Sequence, residues 1–518
     1  MPMLVRIGVF LAGLVLLAVV GVLAGRWLFP LPDISGRAPE VSLPRDPSTR
    51  LAERVRAGMA GHEHESGVIP LAGGHDALGS RLALSEIADR SIDAQYYIWH
   101  DDTSGRLLLK MLYDASKRGV RVRLLLDDNG VPGLDGVMAT LNALDNFEIR
   151  LFNPSTIRTP KMAGYALDFM RMNRRMHNKS FIVDGEAAII GGRNIGDEYF
   201  RVGDANYYLD MDVLAFGDVV GKTADVFDAY WNSASAFPVD QIIRGEGDLD
   251  AFLASVAESA RSEAAGKLVG QLESSASRFR GGSVRPEFTR VEVVADDPVK
   301  GEGKASRDQL MITRLSGILG EVRTGIDVVS AYFVPGKQGT RLFGDLARSG
   351  KRVRILTNAM NTTDVLIVHA GYTKYRRDLL KAGAELFELK LRAEQEPGRE
   401  ELKRLGLSGA ALHAKTFAVD DRRVFIGSFN FDPRSALLNC EMGFLIDSPT
   451  MARRVSEGFD GPLKRASYQP VLTLDGQMAW TEEMPDGKLG IYQQEPGASW
   501  FRQAAIAVIG LLPVEWLL

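Results

Sequence analysis

The sequence contains one spacing of three chemically active residue types twice, as His-x-Lys-x4-Asp. The two sets are His177, Lys179 and Asp184, and His413, Lys415 and Asp420. An imidazole can attack or transfer a proton, and an ammonium group can bind phosphate oxygens. Polar and apolar residues alternate between each histidine and aspartate, which predicts a strand whose residues two apart share a face. Each histidine should therefore lie beside its lysine, an arrangement suited to phosphodiester chemistry.

A glycine-rich turn and an asparagine follow each of these motifs. Backbone N–H groups of such a turn and a side-chain amide can hold an anion. The candidate substrate ligands are therefore Asn194 in the first copy, and Ser428 and Asn430 in the second. The two aspartates fall where a hairpin turn is expected, so capping of that turn is an alternative to a catalytic part.

One such motif alone could be an ordinary half-buried strand that ends in a turn. The motifs, however, belong to an internal repeat. His177 and His413 lie 236 positions apart, and Ile92 and Ile326, which begin the repeated segments, lie 234 apart. Two copies in nearly equal register make chance an inadequate explanation, and we interpret the two motifs as one duplicated site.

The repeated segments, 91–128 and 325–359, predict the elements that position the motifs. Each begins with an Ile-Asp strand, continues as an amphipathic helix and ends in a second strand. Gly119 and Gly350 are expected to stop the two helices in the left-handed conformation. A strand, helix and strand in close succession predict a right-handed βαβ unit with parallel strands, and hence an α/β fold.

The composition is that of a folded protein large enough for two domains. The 518 residues are 45% hydrophobic and 25% charged, with a formal net charge of −4. That charge argues against a dedicated nucleic-acid-binding protein, which usually carries a basic excess. The single cysteine, Cys440, excludes an internal disulfide and a cysteine-rich metal site.

An apolar run near the N-terminus, from Ile7 to Gly25, is long enough to cross a bilayer. The sequence Val22-Leu23-Ala24 resembles a small-residue cleavage site, so a signal peptide is the alternative. The length of the run favours an uncleaved anchor. Basic residues flank the run on both sides, and they leave open which side of the membrane carries the body of the protein.

Changes in composition divide the chain into six predicted regions. They are an anchor (1–29), a linker and lead-in (30–75), a first domain (76–244), a helical connector (245–290), a second domain (291–465) and an extension with an apolar tail (466–518). The tail is too short and too interrupted by proline to span a membrane. It should either pack on the body or lie in the membrane interface.

The two motifs, with their glycine turns and asparagines, resemble those of the phospholipase D superfamily. The stretches YYIWHDDTSGRLL, RRMHNKSFIVDG, GGRNIGDEYF, DDPVKGEGKA, LHAKTFAVDD and FIGSFNFDPRS look like the bacterial cardiolipin synthases of that superfamily, from about Leu71 to the C-terminus. The resemblance implies two tandem phospholipase D-like α/β/α domains with mixed sheets, packed in a pseudo-two-fold arrangement with the site at their junction. The chain departs from the pattern at Gly192, where many members carry serine.

The resemblance also implies roles for the site residues. His177 would be the nucleophile that forms a phosphohistidine, and His413 the general acid and base. In similar enzymes an acidic residue downstream of each motif orients the histidine of the other half. The candidates here are Asp210, Asp212 and Glu441, of which Glu441 lies in an otherwise apolar stretch. This chemistry requires no metal and no cofactor.

The expected function is transfer of a phosphatidyl group to phosphatidylglycerol, with phosphatidylglycerol or phosphatidylethanolamine as donor, which makes cardiolipin. A hydrolase of the phospholipase D type is the alternative, and a nuclease or an inactive membrane scaffold is less favoured. The expected location is the bacterial inner membrane, held by a single N-terminal span. Phospholipids and the membrane are the expected partners, nucleic acid is not, and no protein partner is indicated.

Overall fold

Two mixed β-sheets, one in each half of the chain, organise the protein. The structure is a computed structural model that describes residues 3–203, 207–280, 284–363, 365–390, 410–484, 487–498 and 500–511. The elements of each half are given below in chain order, and the three short 3₁₀ turns are Asp128–Gly130, Pro298–Glu302 and Arg307–Gln309.

The first half and the connector contain the following elements. The strands are β1 (Ser66–Leu71), β2 (Ser91–Tyr96), β3 (Arg121–Asp127), β4 (Phe147–Phe152), β5 (Ser180–Val183), β6 (Ala187–Gly191), β7 (Tyr207–Leu209), β8 (Asp212–Gly217), β9 (Ala236–Pro238) and β10 (Glu287–Thr289). The helices are α1 (Met3–Leu28), α2 (Arg50–Gly58), α3 (Gly74–Ile87), α4 (Thr103–Lys117), α5 (Asp135–Asn142), α6 (Met162–Met172), α7 (Asp197–Phe200), α8 (Asp218–Trp231), α9 (Val239–Ile242), α10 (Leu249–Ala260) and α11 (Glu263–Arg280).

The second half and the extension continue the numbering. The strands are β11 (Val291–Ala295), β12 (Gly325–Ser330), β13 (Arg352–Asn358), β14 (Glu385–Leu389), β15 (Ala410–Leu412), β16 (Lys415–Val419), β17 (Arg423–Gly427), β18 (Met442–Ile446), β19 (Ser467–Leu472), β20 (Met478–Glu483) and β21 (Leu489–Tyr492). The helices are α12 (Met311–Gly320), α13 (Gly336–Arg348), α14 (Leu366–Lys381), α15 (Pro433–Leu437), α16 (Pro449–Asp460), α17 (Pro462–Arg465) and α18 (Trp500–Leu511).

The two sheets have the same strand order over their central eight strands. The first runs β10-β1-β8-β6-β5-β2-β3-β4-β9, and the second runs β11-β18-β17-β16-β12-β13-β14-β19-β20-β21. In each, three strands of the repeat are parallel (β2-β3-β4 and β12-β13-β14), and the motif strand pairs antiparallel with the first of them. The predicted α/β fold with two duplicated mixed sheets is confirmed.

The helix of the first repeat shows why this sequence folds as predicted. The Asp102 side chain accepts a hydrogen bond from the Gly105 N–H and so caps the start of α4. Leu108 and Leu112 are buried on the sheet-facing side. The chain leaves the helix at Gly119, which adopts a φ of +92°, the left-handed conformation that glycine accepts most readily.

One hydrophobic core is shared by the two halves. It joins residues of β6, β8 and α8 in the first half, such as Ile190, Val213 and Tyr230, to Ile426 and Phe444 in the second. Each half also has its own core on the opposite side of its sheet. The shared core fixes the ends of β5 and β16 relative to one another.

Helix α1 is the one described helix that is long and apolar enough to cross a membrane. Its apolar window, Phe10–Leu28, has 19 residues with a mean hydropathy of 2.1, and none of it is buried in the protein. The sequence predicted the run from Ile7 to Gly25. The end of α1 packs on α6, where the Arg26 guanidinium lies 3.1 Å from the Asp168 carboxylate.

Several segments predicted as connections belong to the sheets. Strand β1 lies inside the predicted linker, yet it is an internal strand of the first sheet, and β10, in the predicted connector, forms the edge of that sheet. Helices α10 and α11 of the connector pack on α4 and α3. In the extension, β19, β20 and β21 continue the second sheet and α18 packs on α14. The last part of the apolar tail, 512–518, lies outside the described residues.

Candidate active site

The two motif histidines meet at the junction of the halves through a crossed pair of backbone hydrogen bonds. The His177 N–H donates to the Cys440 carbonyl oxygen, and the His413 N–H donates to the Leu209 carbonyl oxygen, both at 2.8 Å. Strands β7 and β15 also pair across the halves, with Leu209 opposite Leu412. Each histidine backbone is therefore bonded to the residue just before an acidic residue of the other half: Cys440 precedes Glu441, and Leu209 precedes Asp210.

Those acidic side chains contact the imidazole rings. The Glu441 Oε2 lies 2.8 Å from the His177 Nδ1, and the Asp210 Oδ2 lies 2.5 Å from the His413 Nδ1. The Ser428 carbonyl oxygen, which can only accept, is also 3.2 Å from the His177 Nδ1. A protonated Nδ1 satisfies each carboxylate and leaves Nε2 as the reactive nitrogen. The Lys415 ammonium also lies 2.8 Å from the His413 Nδ1. Both histidines remain slightly exposed, at 8% and 7%, so a ligand can reach them.

The sheet register shows that Asp210 and Glu441 are equivalent positions. Gly191 pairs with Asp212 in the first sheet, and Gly427 pairs with Gly443 in the second. Asp210 lies two residues before Asp212, and Glu441 lies two residues before Gly443, so the two carboxylates occupy the same place in the repeat.

Asp212, the third predicted orienting residue, contacts neither histidine. Its carboxylate pairs with the Arg81 guanidinium at 2.9 Å and accepts a hydrogen bond from the Arg193 N–H. Asp212 is already part of β8, which directs its side chain toward the first half, whereas Asp210 precedes the strand. The prediction for Asp212 is corrected: its carboxylate balances a buried arginine.

The two motif lysines are buried beside the histidines. The Lys179 ammonium donates to the carbonyl oxygen of His177 at 2.6 Å, and the Lys415 ammonium donates to the carbonyl oxygen of His413. Burial, and then the positive charge of Lys415, lower the pKa of Lys179 well below its usual range, against the attraction of Glu441. Two ammonium groups close to both imidazoles form a site for an anion.

The protonation of the two His–carboxylate pairs differs. Burial raises the pKa of Glu441 to about 7. Burial would also raise the pKa of Asp210, but Lys415 and His413 outweigh it and hold that pKa below its ordinary value. Burial and the two lysines lower the pKa of His177 well below 6.5. Burial and Lys415 lower the pKa of His413, while Asp210 opposes that shift.

Asp184 and Asp420, predicted as catalytic, lie at the far ends of the motif strands. Seven residues of extended chain separate each from its histidine, which is roughly 20 Å. The Asp184 carboxylate accepts hydrogen bonds from the N–H groups of residues 89, 90 and 91, and the Asp420 carboxylate does the same at residues 323, 324 and 325. Both residues tie the hairpin turn to the start of the first repeat strand, and a catalytic part for either of them stays a prediction.

Two of the predicted substrate ligands are committed to the protein itself. The Asn194 amide oxygen accepts from the Ile98 N–H and its nitrogen donates to the Tyr199 hydroxyl, and the side chain is fully buried. The Ser428 hydroxyl donates to the Glu441 Oε2 at 2.5 Å. These two side chains are thus engaged within the protein, and their part in binding substrate stays a prediction.

Asn430 is the third predicted ligand. It is 3% exposed, and its amide oxygen lies 3.4 Å from the Tyr332 N–H, the counterpart of the Asn194 contact to Ile98. Its part in binding substrate stays a prediction.

Gly192, the departure from the family pattern, lies against Asp210. A Cβ atom at this position would stand 2.1 Å from the Asp210 Oδ1. At the equivalent position in the second half, the Ser428 hydroxyl donates a hydrogen bond to Glu441. The orienting carboxylate is thus an aspartate beside a glycine in the first half and a glutamate beside a serine in the second half.

Aromatic rings that the motifs did not indicate surround the histidines. The Tyr97 ring lies 5.1 Å from the His177 ring, and the rings of Tyr199 and Tyr208 lie 5.2 Å and 5.0 Å from the His413 ring. Tyr97 and Tyr199 fall within stretches that resemble the family, YYIWHDDTSGRLL and the GGRNIGDEYF segment, which was the only available signal. The rings pack against the two imidazoles and form part of the wall of the site.

A buried ion pair behind Glu441 was also missed. The Lys300 ammonium lies 2.8 Å from the Asp296 Oδ2, and that oxygen accepts a hydrogen bond from the Glu441 N–H. Burial raises the pKa of Asp296 to about 6, against the attraction of Lys300. Both residues belong to the stretch DDPVKGEGKA, whose similarity to the family had no assigned purpose.

Among the described residues, one cluster has side chains close enough to share a metal ion. It consists of His100, Asp102 and Glu198. The Asp102 oxygens accept hydrogen bonds from the N–H groups of Gly105 and Asp197, and the Glu198 carboxylate pairs with the His100 Nδ1 at 3.1 Å. Helix capping and an ion pair account for this cluster.

Comparison with known proteins gives a consistent result. The family model described as "Cardiolipin synthase, PLD-like domain" matches residues 84–231 and 317–462. Cardiolipin synthase C of Escherichia coli (strain K12) is 43% identical over 90% of this chain and 100% of its own length. An uncharacterized protein of Helicobacter pylori (strain J99) is 33% identical over 79% of this chain and 81% of its own.

Among solved structures, phosphatidylserine synthase of Haemophilus influenzae Rd KW20 shares the fold with a TM-score of 0.55. At 13% identity it covers 90% of this chain and 100% of its own. The likeness extends over both halves and therefore includes their arrangement.

Proposed function

The chain belongs to the cardiolipin synthase family of phospholipase D-like proteins, and we propose that it makes cardiolipin by transferring a phosphatidyl group between phospholipids. The observation that carries this proposal is the crossed pair of His–carboxylate contacts, which leaves two Nε2 atoms facing one lysine-lined site. The proposed donor and acceptor are both phosphatidylglycerol, with phosphatidylethanolamine as a second donor. The bacterial inner membrane is the proposed location.

The first step breaks the bond between phosphorus and the donor headgroup oxygen. The His177 Nε2 attacks phosphorus, and the departing alcohol takes a proton from the His413 Nε2. The products are a phosphatidyl-histidine and free glycerol, or ethanolamine with the other donor. Splitting one difficult displacement into two steps is the general advantage of a covalent intermediate.

The second step reverses the roles. A hydroxyl of a second phosphatidylglycerol gives its proton to His413, its oxygen bonds to phosphorus, and His177 leaves. The product is cardiolipin, and both histidines return to their starting protonation.

The two protonation environments support His177 as the nucleophile. A nucleophilic imidazole must be neutral, and burial together with the lysines lowers the pKa of His177 well below 6.5. A general acid needs a partner that stabilises its charged form, and Asp210, whose pKa is held low by Lys415 and His413, is such an anion. A phosphodiester anion beside His413 would raise its pKa, against the burial and the Lys415 charge that lower it.

The lysines stabilise the phosphorus oxygens as negative charge builds up on them. Lys179 and Lys415 are almost fully buried, so their charges act in a medium of low dielectric constant, where the interaction is strong. The same burial favours transfer over hydrolysis, because the tyrosines restrict access of water to the phosphorus. An apolar anchor keeps the enzyme at the membrane surface that contains both the donor and the acceptor lipid.

Reconstitution of the full-length protein in phosphatidylglycerol vesicles tests the reaction. Mass spectrometry should detect cardiolipin and glycerol, and His177→Ala and His413→Ala should each abolish both. His64→Ala, which changes an exposed histidine outside the site, is the matched control. Phosphatidic acid as the only product would contradict the synthase and identify a hydrolase.

The order of the histidines needs a separate experiment. With the p-nitrophenyl ester of phosphatidic acid as donor, the leaving group departs without a proton. His413→Ala should then release one burst of nitrophenol per enzyme and stall, because the second step lacks its base. His177→Ala should give no burst. A burst from His177→Ala and none from His413→Ala would reverse the assignment.

A further inference from the structure

Helix α6 is kinked at Asp168, whose backbone is non-helical, and apolar residues lie on the outside of both of its segments. Its exposed residues are Met162, Ala166, Phe169 and Met170. Met162 is 73% exposed, Phe169 is 39% exposed and Met170 is 59% exposed. The exposed face of a helix in a water-soluble protein is normally polar. A short helix with the opposite pattern is typical of a segment that lies in a membrane interface.

The membrane helix ends against α6. The Arg26 side chain donates to the Leu167 carbonyl oxygen at 2.9 Å and contacts Asp168. Gly25 gives Leu167 room, since a Cβ there would stand 2.4 Å from the leucine side chain. Arg26 precedes the end of the apolar window by two residues, about 3 Å along the helix axis. Helix α6 is therefore level with the boundary of a bilayer spanned by α1.

The apolar surface continues from α1 to both sides of α6. Trp27 and Phe29 are exposed at the end of α1, and Leu437 is 59% exposed on α15. Helix α15 is joined to the end of α6 because the Arg434 guanidinium donates to the Asn173 carbonyl oxygen at 2.9 Å. The exposed apolar residues of α1, α6 and α15 therefore belong to elements that contact one another.

Positive charge accompanies this surface. Arg26 and Arg171 line a cavity of about 300 Å³ between the end of α1 and α6, with Leu167 and Met172 as apolar walls. Asp168 pairs with both guanidinium groups, and the three charges together leave one net positive charge. A basic cavity beside an apolar face matches the anionic headgroups and upper acyl chains of a phospholipid layer.

The inner side of α6 faces the active site. Tyr165, on this side, is half-buried. The Arg175 guanidinium, two residues before His177, donates to the Met172 carbonyl oxygen at 2.6 Å. A lipid beside α6 would thus have its headgroup next to the site.

We propose that α6, with the end of α1 and Leu437, lies in the headgroup layer of an anionic bilayer and forms the edge over which a phospholipid reaches His177. Helix α6 would hold the opening of the site at the depth of the lipid phosphates. The surface follows from the position of the span and from exposed residues, so it does not depend on which phospholipid reaction the site performs.

Single-cysteine labelling can measure the depth of this surface in the full-length protein. The native Cys440 is fully buried, and burial raises the pKa of its thiol to about 12, so it does not compete for a thiol reagent. Met162→Cys and Met170→Cys would carry an environment-sensitive fluorophore. Val269→Cys on α11 and Leu474→Cys in the β19–β20 turn are exposed controls on other elements.

The labelled proteins are reconstituted in phosphatidylcholine vesicles that contain phosphatidylglycerol and a lipid with a nitroxide near the top of its acyl chain. We expect the nitroxide to quench the two α6 labels about twofold, and aqueous iodide to quench them weakly. Labels at Val269 and Leu474 should show the reverse. Equal iodide quenching at all four positions would overturn the proposal. Protection of the α6 labels from both quenchers would also overturn it, because a protein would then cover the face.

Discussion

The hydroxyl of Ser428 donates a 2.5 Å hydrogen bond to Glu441, on the same oxygen that lies 2.8 Å from the His177 Nδ1. The same carboxylate oxygen of Glu441 thus accepts a hydrogen bond from a hydroxyl of its own half and contacts an imidazole of the other half. The ionisation of Glu441 therefore controls the orientation and the tautomer of the proposed nucleophile.

The activity should rise with pH through about 7. Burial raises the pKa of Glu441 to about 7, and its ionised form is needed to hold the Nδ1 proton of His177. Stability should move in the opposite direction. A raised pKa favours the protonated folded state, so the contribution of Glu441 is full below its ordinary value of 4.5 and lost as pH rises through about 7. Rate profiles and denaturant unfolding of wild type and Glu441→Gln, in which both dependences should flatten, check this prediction.

Ser428→Ala should move the acidic limb of that rate profile to higher pH. The hydroxyl lowers the pKa of Glu441, and its removal leaves more of the carboxylate protonated at neutral pH. We expect kcat at pH 7 to fall about tenfold, the scale of one hydrogen bond to a charged group. Ser456→Ala removes a buried hydroxyl that contacts Arg354 elsewhere in the same half, and its limb should not move. An unshifted limb in Ser428→Ala would refute this account of Glu441.

Gly192→Ser should reduce activity far more than stability. The new Cβ would stand 2.1 Å from the Asp210 Oδ1, so the carboxylate must move away from His413. Displacement of a group that orients a catalytic side chain by about 1 Å costs on the order of a hundredfold in rate. Gly136→Ser on α5, where a Cβ meets nothing within 4 Å, is the control. Wild-type turnover in Gly192→Ser would show that Asp210 has room to adjust.

Asp184→Ala should destabilise the first half and leave the chemistry intact. Three N–H groups would lose their acceptor, and alanine would have to adopt a φ of +52°. The expected loss is about 3 kcal/mol in the free energy of unfolding. Turnover per folded molecule, measured well below the unfolding midpoint, should equal that of wild type. A selective loss of kcat would restore the catalytic interpretation of the motif aspartate.

Lys300→Met should act on the site through Glu441. Without the ammonium, the pKa values of Asp296 and Glu441 both rise, because Lys300 lowers each of them. The acidic limb should move upward, and breaking a buried pair should cost about 3 to 5 kcal/mol in stability. Lys304→Met, in the same loop but 72% exposed, is the matched control. A loss of stability with an unchanged acidic limb of the pH–rate profile would show that Lys300 has only a structural role.

The sequence was informative wherever a feature depends on local spacing. The alternation around Lys179 and Lys415 predicted strands with the reactive residues at one end, and the repeat predicted two equal halves. Glu441 stood out as a lone charge in an apolar stretch, which marks a buried residue with a partner. These signals depend on neighbours along the chain, where strand and helix periodicity operate.

Features that depend on pairing between distant strands were not visible. Asp210 and Asp212 look equivalent in sequence, and the register of β8 against Gly191 decides which of them faces a histidine. Asp184 looked reactive because of its motif, yet its turn directs it to the opposite end of the strand. Nothing in the sequence indicated that Met162 and Met170 would be exposed, and their exposure is visible only in the structure.

The crossed hydrogen bonds also order events during synthesis of the chain. His177 leaves the ribosome 264 residues before Glu441, the carboxylate that orients it. Until the second half is made and docked, the first half carries a histidine whose ring has no fixed tautomer and no acidic partner. A nascent chain that is already anchored in the membrane therefore cannot cleave phospholipids. The enzyme becomes active only when translation and folding are both complete.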